Sequence, residues 1–102
     1  MTPAIACAVH ACLLAVPAGQ VVAYGQLAAL AGYPRHARHV ARVLTQADDL
    51  PWQRVVGADG RLARAGTEAA DWQRVLLEAE GVTFDPRGRV RMAVHGWQPA
   101  PK

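Results

Sequence analysis

The chain has 102 residues, 52% apolar and 19% charged, which excludes a disordered polyelectrolyte and suits one hydrophobic core. Eleven basic residues against eight acidic give a net charge of +3, and ten of the eleven are arginine. That excess suits planar contacts to phosphates and bases, and equally the coding bias of a GC-rich genome. The longest apolar run, Ala4 to Val16, is shorter than the roughly 20 residues that span a bilayer. Met1-Thr2-Pro3 lacks the basic start of a signal peptide. The expectation is a single cytoplasmic domain over 1–102 with no membrane partner.

Pro3 and Pro17-Ala18-Gly19 bracket a first helix, Ala4 to Ala15, read as buried. Gln20 to Tyr24 reads as extended. Tyr24 then opens the Ala/Leu-rich stretch Gly25–Ala31, a short second helix stopped by Gly32-Tyr33-Pro34, a glycine cap followed by proline. A third helix runs from Arg35 to about Gln46, with Ala37, Val40, Ala41 and Leu44 on one face and Arg35, Arg38, His39 and Arg42 on the other. Two short helices joined by a glycine-containing turn, the second one basic, form a helix-turn-helix signature.

Asp48-Asp49 marks a helix end or turn, and Trp52 to Arg64 reads as a loop with a small hairpin around Gly57-Ala58-Asp59-Gly60. A further helix follows, with Thr67 as N-cap, Glu68 and Asp71 in its first turn, Trp72, Val75, Leu76 and Ala79 at helical spacing, and Gly81 as terminator. Phe84 to Gly88 is a turn, Arg89 to Val94 alternates like an edge strand, and Gln98 to Lys102 is a tail. The fold class is mainly α with small β elements.

Candidate chemistry is sparse. Cys7 and Cys12 are five apart, about 140° around a helix, so they do not pair readily; they read as buried structural thiols. With His10 they fall short of the four ligands of a structural zinc site, and no metal or cofactor is expected. The Trp52 loop holds no Ser or Cys beside a His, Cys7 and Cys12 lack an activating partner, and no paired-carboxylate or phosphate-loop motif stands out. The basic third helix suits phosphate contacts, with a small residue, Ala37, where a groove would come close; the competing reading is a solvated charged face. Trp52 is either core or an exposed aromatic that stacks on a base.

Three sequence words carry a family resemblance: Val16–Gly32 (VPAGQVVAYGQLAALAG), Ala37-Arg38-His39-Val40, and Pro51-Trp52-Gln53-Arg54-Val55-Val56. They resemble the DNA-binding domain of O(6)-alkylguanine DNA alkyltransferases, whose third word is Pro-Cys-His-Arg-Val. In this chain Trp52 stands at the acceptor cysteine's place and Gln53 at the histidine's. Tryptophan there is similar to the alkyltransferase-like branch, short chains that also resemble Leu76–Val82, Gly88-Arg89-Val90 and Gly96-Trp97.

The resemblance implies a winged-helix-like helix-turn-helix that enters the minor groove and rotates a damaged guanine out of the stack. On that pattern, Arg38 inserts into the duplex in place of the extruded base, and Tyr24 presses on the neighbouring phosphate. Arg35, His36, Ala37 and Arg42 complete the DNA-binding set, although His36 and His39 depart from the small residues usual there. Tyr24, Trp52, Gln53, Val55 (through its carbonyl) and Arg64 line the lesion pocket, while Arg54 supports the loop by pairing with an acid. The implied function is a non-enzymatic sensor that binds O(6)-alkylguanine in double-stranded DNA and flags it for nucleotide excision repair proteins. It is expected to be a nucleoid-associated monomer without cofactors. The alternatives are a small winged-helix regulator of undamaged sites, which would dimerise on paired half-sites, and a residual glycosylase or transferase.

Overall fold

The computed structural model describes residues 3–45, 50–62 and 68–98. In chain order these form α1 (Pro3–Leu14), β1 (Val22–Ala23), α2 (Tyr24–Leu30), α3 (Ala37–Thr45), a 3-10 turn (Trp52–Arg54), β2 (Val55–Val56), α4 (Glu68–Ala79) and α5 (Met92–His95). The expected mainly helical architecture with small β elements is therefore present.

Helix α1 buries one face only. Ile5, Val9 and Leu13, four apart, enter the core, whereas Cys7 is exposed and Cys12 half-exposed. This corrects the expectation of a wholly buried helix with buried thiols: a stripe four residues apart serves a single layer below it, and the position of Cys7 points away from that stripe. Both cysteines are free.

Helices α2 and α3 form the helix-turn-helix. The first ends in a Schellman motif: Gly32 takes φ +89°, its N–H bonds to the Ala29 carbonyl at 3.0 Å, and Tyr33 N–H bonds to Ala28 at 2.9 Å, satisfying carbonyls the helix leaves open. The third helix starts two residues later than expected. Arg35 lies before it in the left-handed region at φ 73°, and His36 supplies the first carbonyl, accepting from Val40 N–H at 3.1 Å. Leu27, Ala28, Val40, Val43 and Leu44 from the two helices join Ile5, Val9, Leu13, Val22 and Val55 in one core cluster.

The segment after Trp52 departs from the expected hairpin. Strand β2 pairs in parallel with β1, Val22 opposite Val55 and Ala23 opposite Val56, because two apolar pairs of valine-rich backbone can be buried together there and Val22, Val55 and Val56 are fully enclosed. The following turn is closed by Gly57 N–H to Arg61 carbonyl, 2.8 Å. Its Gly60 backs onto a second turn: Val90 N–H bonds to the Gly60 carbonyl at 2.9 Å, and a Cβ on Gly60 would collide with the Val90 backbone. Arg89–Val94 is likewise not an edge strand; Val90 makes one bridge with Phe84, and the chain then coils into α5, whose end meets the residue before β1 through Val21 N–H to His95 carbonyl, 2.9 Å.

Helix α4 exists as expected, with the opposite face inward. Ala70, Gln73 and Leu77 are buried, whereas Trp72 is 56% and Val75 52% exposed. Leu77 and Ala70 belong to a second cluster with Val21, Val56, Leu62, Val82 and Val90. The Thr67 cap, Asp48-Asp49 and all of the tail beyond Gln98 lie outside the described residues. No helix among those residues is long and apolar enough to cross a membrane.

Candidate nucleic-acid interface and lesion pocket

The first half of the site is the basic edge of the helix-turn-helix. Arg38 and Arg42 are exposed on α3, as is Arg35 in the preceding turn, while His36, Ala37 and His39 are half-buried. A short aromatic stack stiffens this edge: the His36 and His39 rings stack with centroids 5.2 Å apart, and Tyr33 meets His36 edge-on at 6.0 Å. His36 Nδ1 also lies 3.1 Å from the Pro34 carbonyl. The two histidines thus sit where α3 begins, as ring ladder rather than as free polar tips.

The second half is the Trp52 segment. The β1–β2 register sets the two strands side by side, so Tyr24, which opens α2 directly after β1, and Trp52, at the start of the 3-10 turn before β2, both pack half-buried against the same core. Gln53 and Arg54 instead turn toward the end of α4. Arg54 Nε donates to the Glu80 carboxylate at 3.0 and 3.2 Å, a terminal nitrogen donates at 3.1 Å, and the other reaches the Val16 carbonyl at 3.0 Å. Gln53 Nε2 donates to Glu80 Oε2 at 2.8 Å, and Gly19 N–H to Oε1 at 3.0 Å. Burial pushes the Glu80 carboxyl up, yet the hydrogen bonds from Arg54, Gly19 and Gln53 and the charge of Arg54 together hold it below the ordinary carboxylate range. The acid expected to pair with Arg54 is therefore Glu80.

One residue of the site escaped the sequence reading. Gln73, fully buried on α4, donates from Nε2 to the carbonyls of Gln53 at 3.0 Å and Val55 at 2.9 Å. It bridges both sides of Arg54 and fixes the backbone of the segment. The signal was a polar residue in register with Ala70 and Leu77. Val55 is buried and its carbonyl already accepts from Gln73. Arg64 lies outside the described residues.

No group of three or more His, Cys, Asp or Glu among the described residues could hold a metal ion. Nor does the segment 51–56 contain a nucleophilic side chain; Trp52 is the second residue of the Pro-Trp-Gln-Arg-Val word.

The fold and this edge define a helix-turn-helix protein. Residues 4–82 match the family model of the 6-O-methylguanine DNA methyltransferase DNA-binding domain, and the chain belongs to that family. It is 38% identical over 82% of its length to a protein of Vibrio parahaemolyticus named DNA base-flipping protein, of which it covers 86%. It is also 32% identical, over 66% of each chain, to alkyltransferase-like protein 1 of Schizosaccharomyces pombe. The structure of S. pombe Atl1 bound to damaged DNA containing O6-carboxymethylguanine superimposes with a TM-score of 0.84 at 25% identity, covering 97% of this chain and 99% of that one. The O6-methylguanine methyltransferase of Mycobacterium tuberculosis aligns with a TM-score of 0.66 and 34% identity over 78% of this chain, which spans 49% of the enzyme.

Proposed function

We propose that this protein is a non-enzymatic sensor of alkylated guanine. It binds duplex DNA through the α2–α3 unit from the minor groove, rotates an O(6)-alkylguanine out of the stack and holds it beside Trp52. The observation that carries this reading is the pairing of an exposed Arg38 on α3 with a Trp52 segment braced by Gln73 and Glu80 but lacking a nucleophile. Arg38 fills the gap left by the extruded base, offsetting lost stacking of a few kcal/mol. Trp52 offers an apolar wall to the alkyl group and a π-face to the base. Tyr24 presses on the adjacent phosphate, and Arg35 and Arg42 with the backbone around His36 and Ala37 hold the duplex. The names of the Vibrio and S. pombe relatives and the damaged-DNA complex of Atl1 support the reading.

Alkyl transfer is no part of this proposal, because neither Trp52 nor Gln53 can act as the acceptor or its base. The sensor acts as a cytoplasmic, nucleoid-associated monomer whose bound complex is handed to nucleotide excision repair proteins. The test is equilibrium binding, at fixed near-physiological salt, to a duplex with one O(6)-methylguanine and to its guanine counterpart, followed by mass analysis of DNA and protein. Preference for the lesion with all masses unchanged is the expected result. Equal binding would instead favour a regulator of undamaged sites, and a lost methyl group or base would indicate an enzyme.

A further inference from the structure

The acidic residues of this chain are unevenly placed. All eight Asp and Glu lie between Asp48 and Asp85, and the first 45 residues, which carry α1, α2 and α3, contain none. That same stretch holds Arg35, Arg38 and Arg42 and three of the four histidines, His10, His36 and His39. In the other half, carboxylates meet arginines of their own region: Glu80 with Arg54, Glu78 with Arg74, Asp59 with Arg61 and Arg89. The helix-turn-helix is therefore a positive surface without a carboxylate of its own.

Within this surface His36 and His39 stand as one unit. Their rings stack with centroids 5.2 Å apart, Tyr33 closes the ladder edge-on, and both are half-buried beside the exposed Arg35 and Arg38. A carbonyl oxygen only accepts, so His36 Nδ1, 3.1 Å from the Pro34 oxygen, carries a hydrogen. Nε2 is then the nitrogen at which a further proton adds. Histidine is the side chain that changes charge between about pH 5 and 8, and stacked rings this close hold one added charge more readily than two. Helix α3 packs against α1 and α2, whose titratable side chains are Cys7, His10, Cys12 and Tyr24. Tyr33, Arg35, Arg38 and Arg42 complete the groups of the turn and of α3 itself, and no carboxylate is among them. Asp48 and Asp49 follow α3 in sequence and lie outside the described residues.

We propose that His36 and His39 form a proton-linked contact to the DNA backbone, the pair taking up one proton as a duplex phosphate arrives. The contact presupposes α2–α3 as the DNA-binding unit and adds a pH dependence to it. In the free chain, a proton on the pair adds charge to a surface that already bears three arginines. In the complex, the phosphate is the anion that this surface lacks, and the protonated ring donates to it. The sign follows from linkage: the complex binds the proton more tightly than the free chain, so affinity rises as pH falls. Phosphates carry no base information, so the effect is the same on damaged and undamaged duplex.

The proton is counted directly by calorimetric titration of the protein with a guanine duplex and its O(6)-methylguanine counterpart. Titrations are run near pH 6.5, at fixed salt, in two buffers of different ionisation enthalpy. The expected result is uptake of about half a proton to one on either duplex, and an affinity about fivefold higher near pH 6 than near pH 7.5. Uptake should fall to near zero in the double variant His36→Gln/His39→Gln and persist in His10→Gln. The slope of log affinity against log salt should steepen by about one between pH 8 and pH 6, which assigns the partner to phosphate. The count in the parent chain decides the proposal even if the double variant does not fold. The proposal is overturned if the parent binds without taking up a proton, if uptake survives in the double variant or is lost in His10→Gln, or if the salt slope ignores pH. A parent that binds neither duplex overturns it together with the DNA-binding reading. Equal affinity for the two duplexes with uptake intact supports it and removes the lesion preference alone.

Discussion

Two arginines display how differently the two functional regions are built. Every nitrogen of the Arg54 guanidinium is engaged, three contacts going to Glu80 and one to the Val16 carbonyl. Arg38, on the second helix of the helix-turn-helix, extends into solvent with no ion pair among the described residues. The Trp52 segment is thus rigid because its buried donors and acceptors are matched, whereas Arg38 on α3 is exposed and stands where the proposed duplex would supply its partner. Substitutions in the first region are therefore expected to act on folding, and substitutions in the second on binding.

The largest effect separates them most clearly. Glu80→Ala strands the Arg54 guanidinium and the Gly19 N–H, partly buried, and is expected to cost about 3 kcal/mol of stability in chemical denaturation. The pH dependence has a defined sign. The Glu80 carboxyl is held low in the folded chain, so its contribution is present above the ordinary Glu range and lost as pH falls through the depressed value. Acid unfolding of Glu80→Gln should show a smaller loss across that window than the parent. Next in size, Gln73→Leu leaves the carbonyls of Gln53 and Val55 without their donor, for about 2 kcal/mol of stability, and should weaken lesion binding only through the loosened loop.

Arg38→Ala is the converse case. It should leave the denaturation midpoint unchanged and reduce affinity for an O(6)-methylguanine duplex by about 2 kcal/mol, roughly 30-fold. If it lowered stability instead, the division between braced segment and exposed arginine would fail. Arg35→Gly sharpens the contrast within one residue. Relief of the left-handed backbone at φ 73° should stabilise the fold by about 0.5–1 kcal/mol, while loss of the side chain weakens binding to any duplex and flattens its salt dependence.

The same division explains what the sequence made legible. The helix-turn-helix could be read locally, because Gly32 and Pro34 punctuate it and Arg38 and Arg42 fall opposite Val40 and Leu44 within one helix. The bracing of the Trp52 segment rests on contacts between residues 18 to 61 positions apart, such as Gln73 to Val55 and Glu80 to Gly19. A hydrophobic-periodicity argument points Trp72 and Val75 inward, since it has no way to know that Gln73 is needed inside by two carbonyls. Strand pairing failed for a related reason: Val55-Val56 looks like half of a local hairpin, and its actual partner, Val22-Ala23, is far back in the chain. Cys7 misled through composition, an apolar helix read as buried on all sides.

The central claim, that a damaged guanine leaves the duplex and rests against Trp52, is tested most directly by placing a ¹³C-labelled methyl group on O(6)-methylguanine in a duplex and following its resonance on saturation with the protein. The account predicts a large ring-current shift in the complex that disappears in Trp52→Leu at protein concentrations that saturate the duplex. A bound methyl resonance unmoved from its position in free duplex, or one shifted equally in Trp52→Leu, would contradict it.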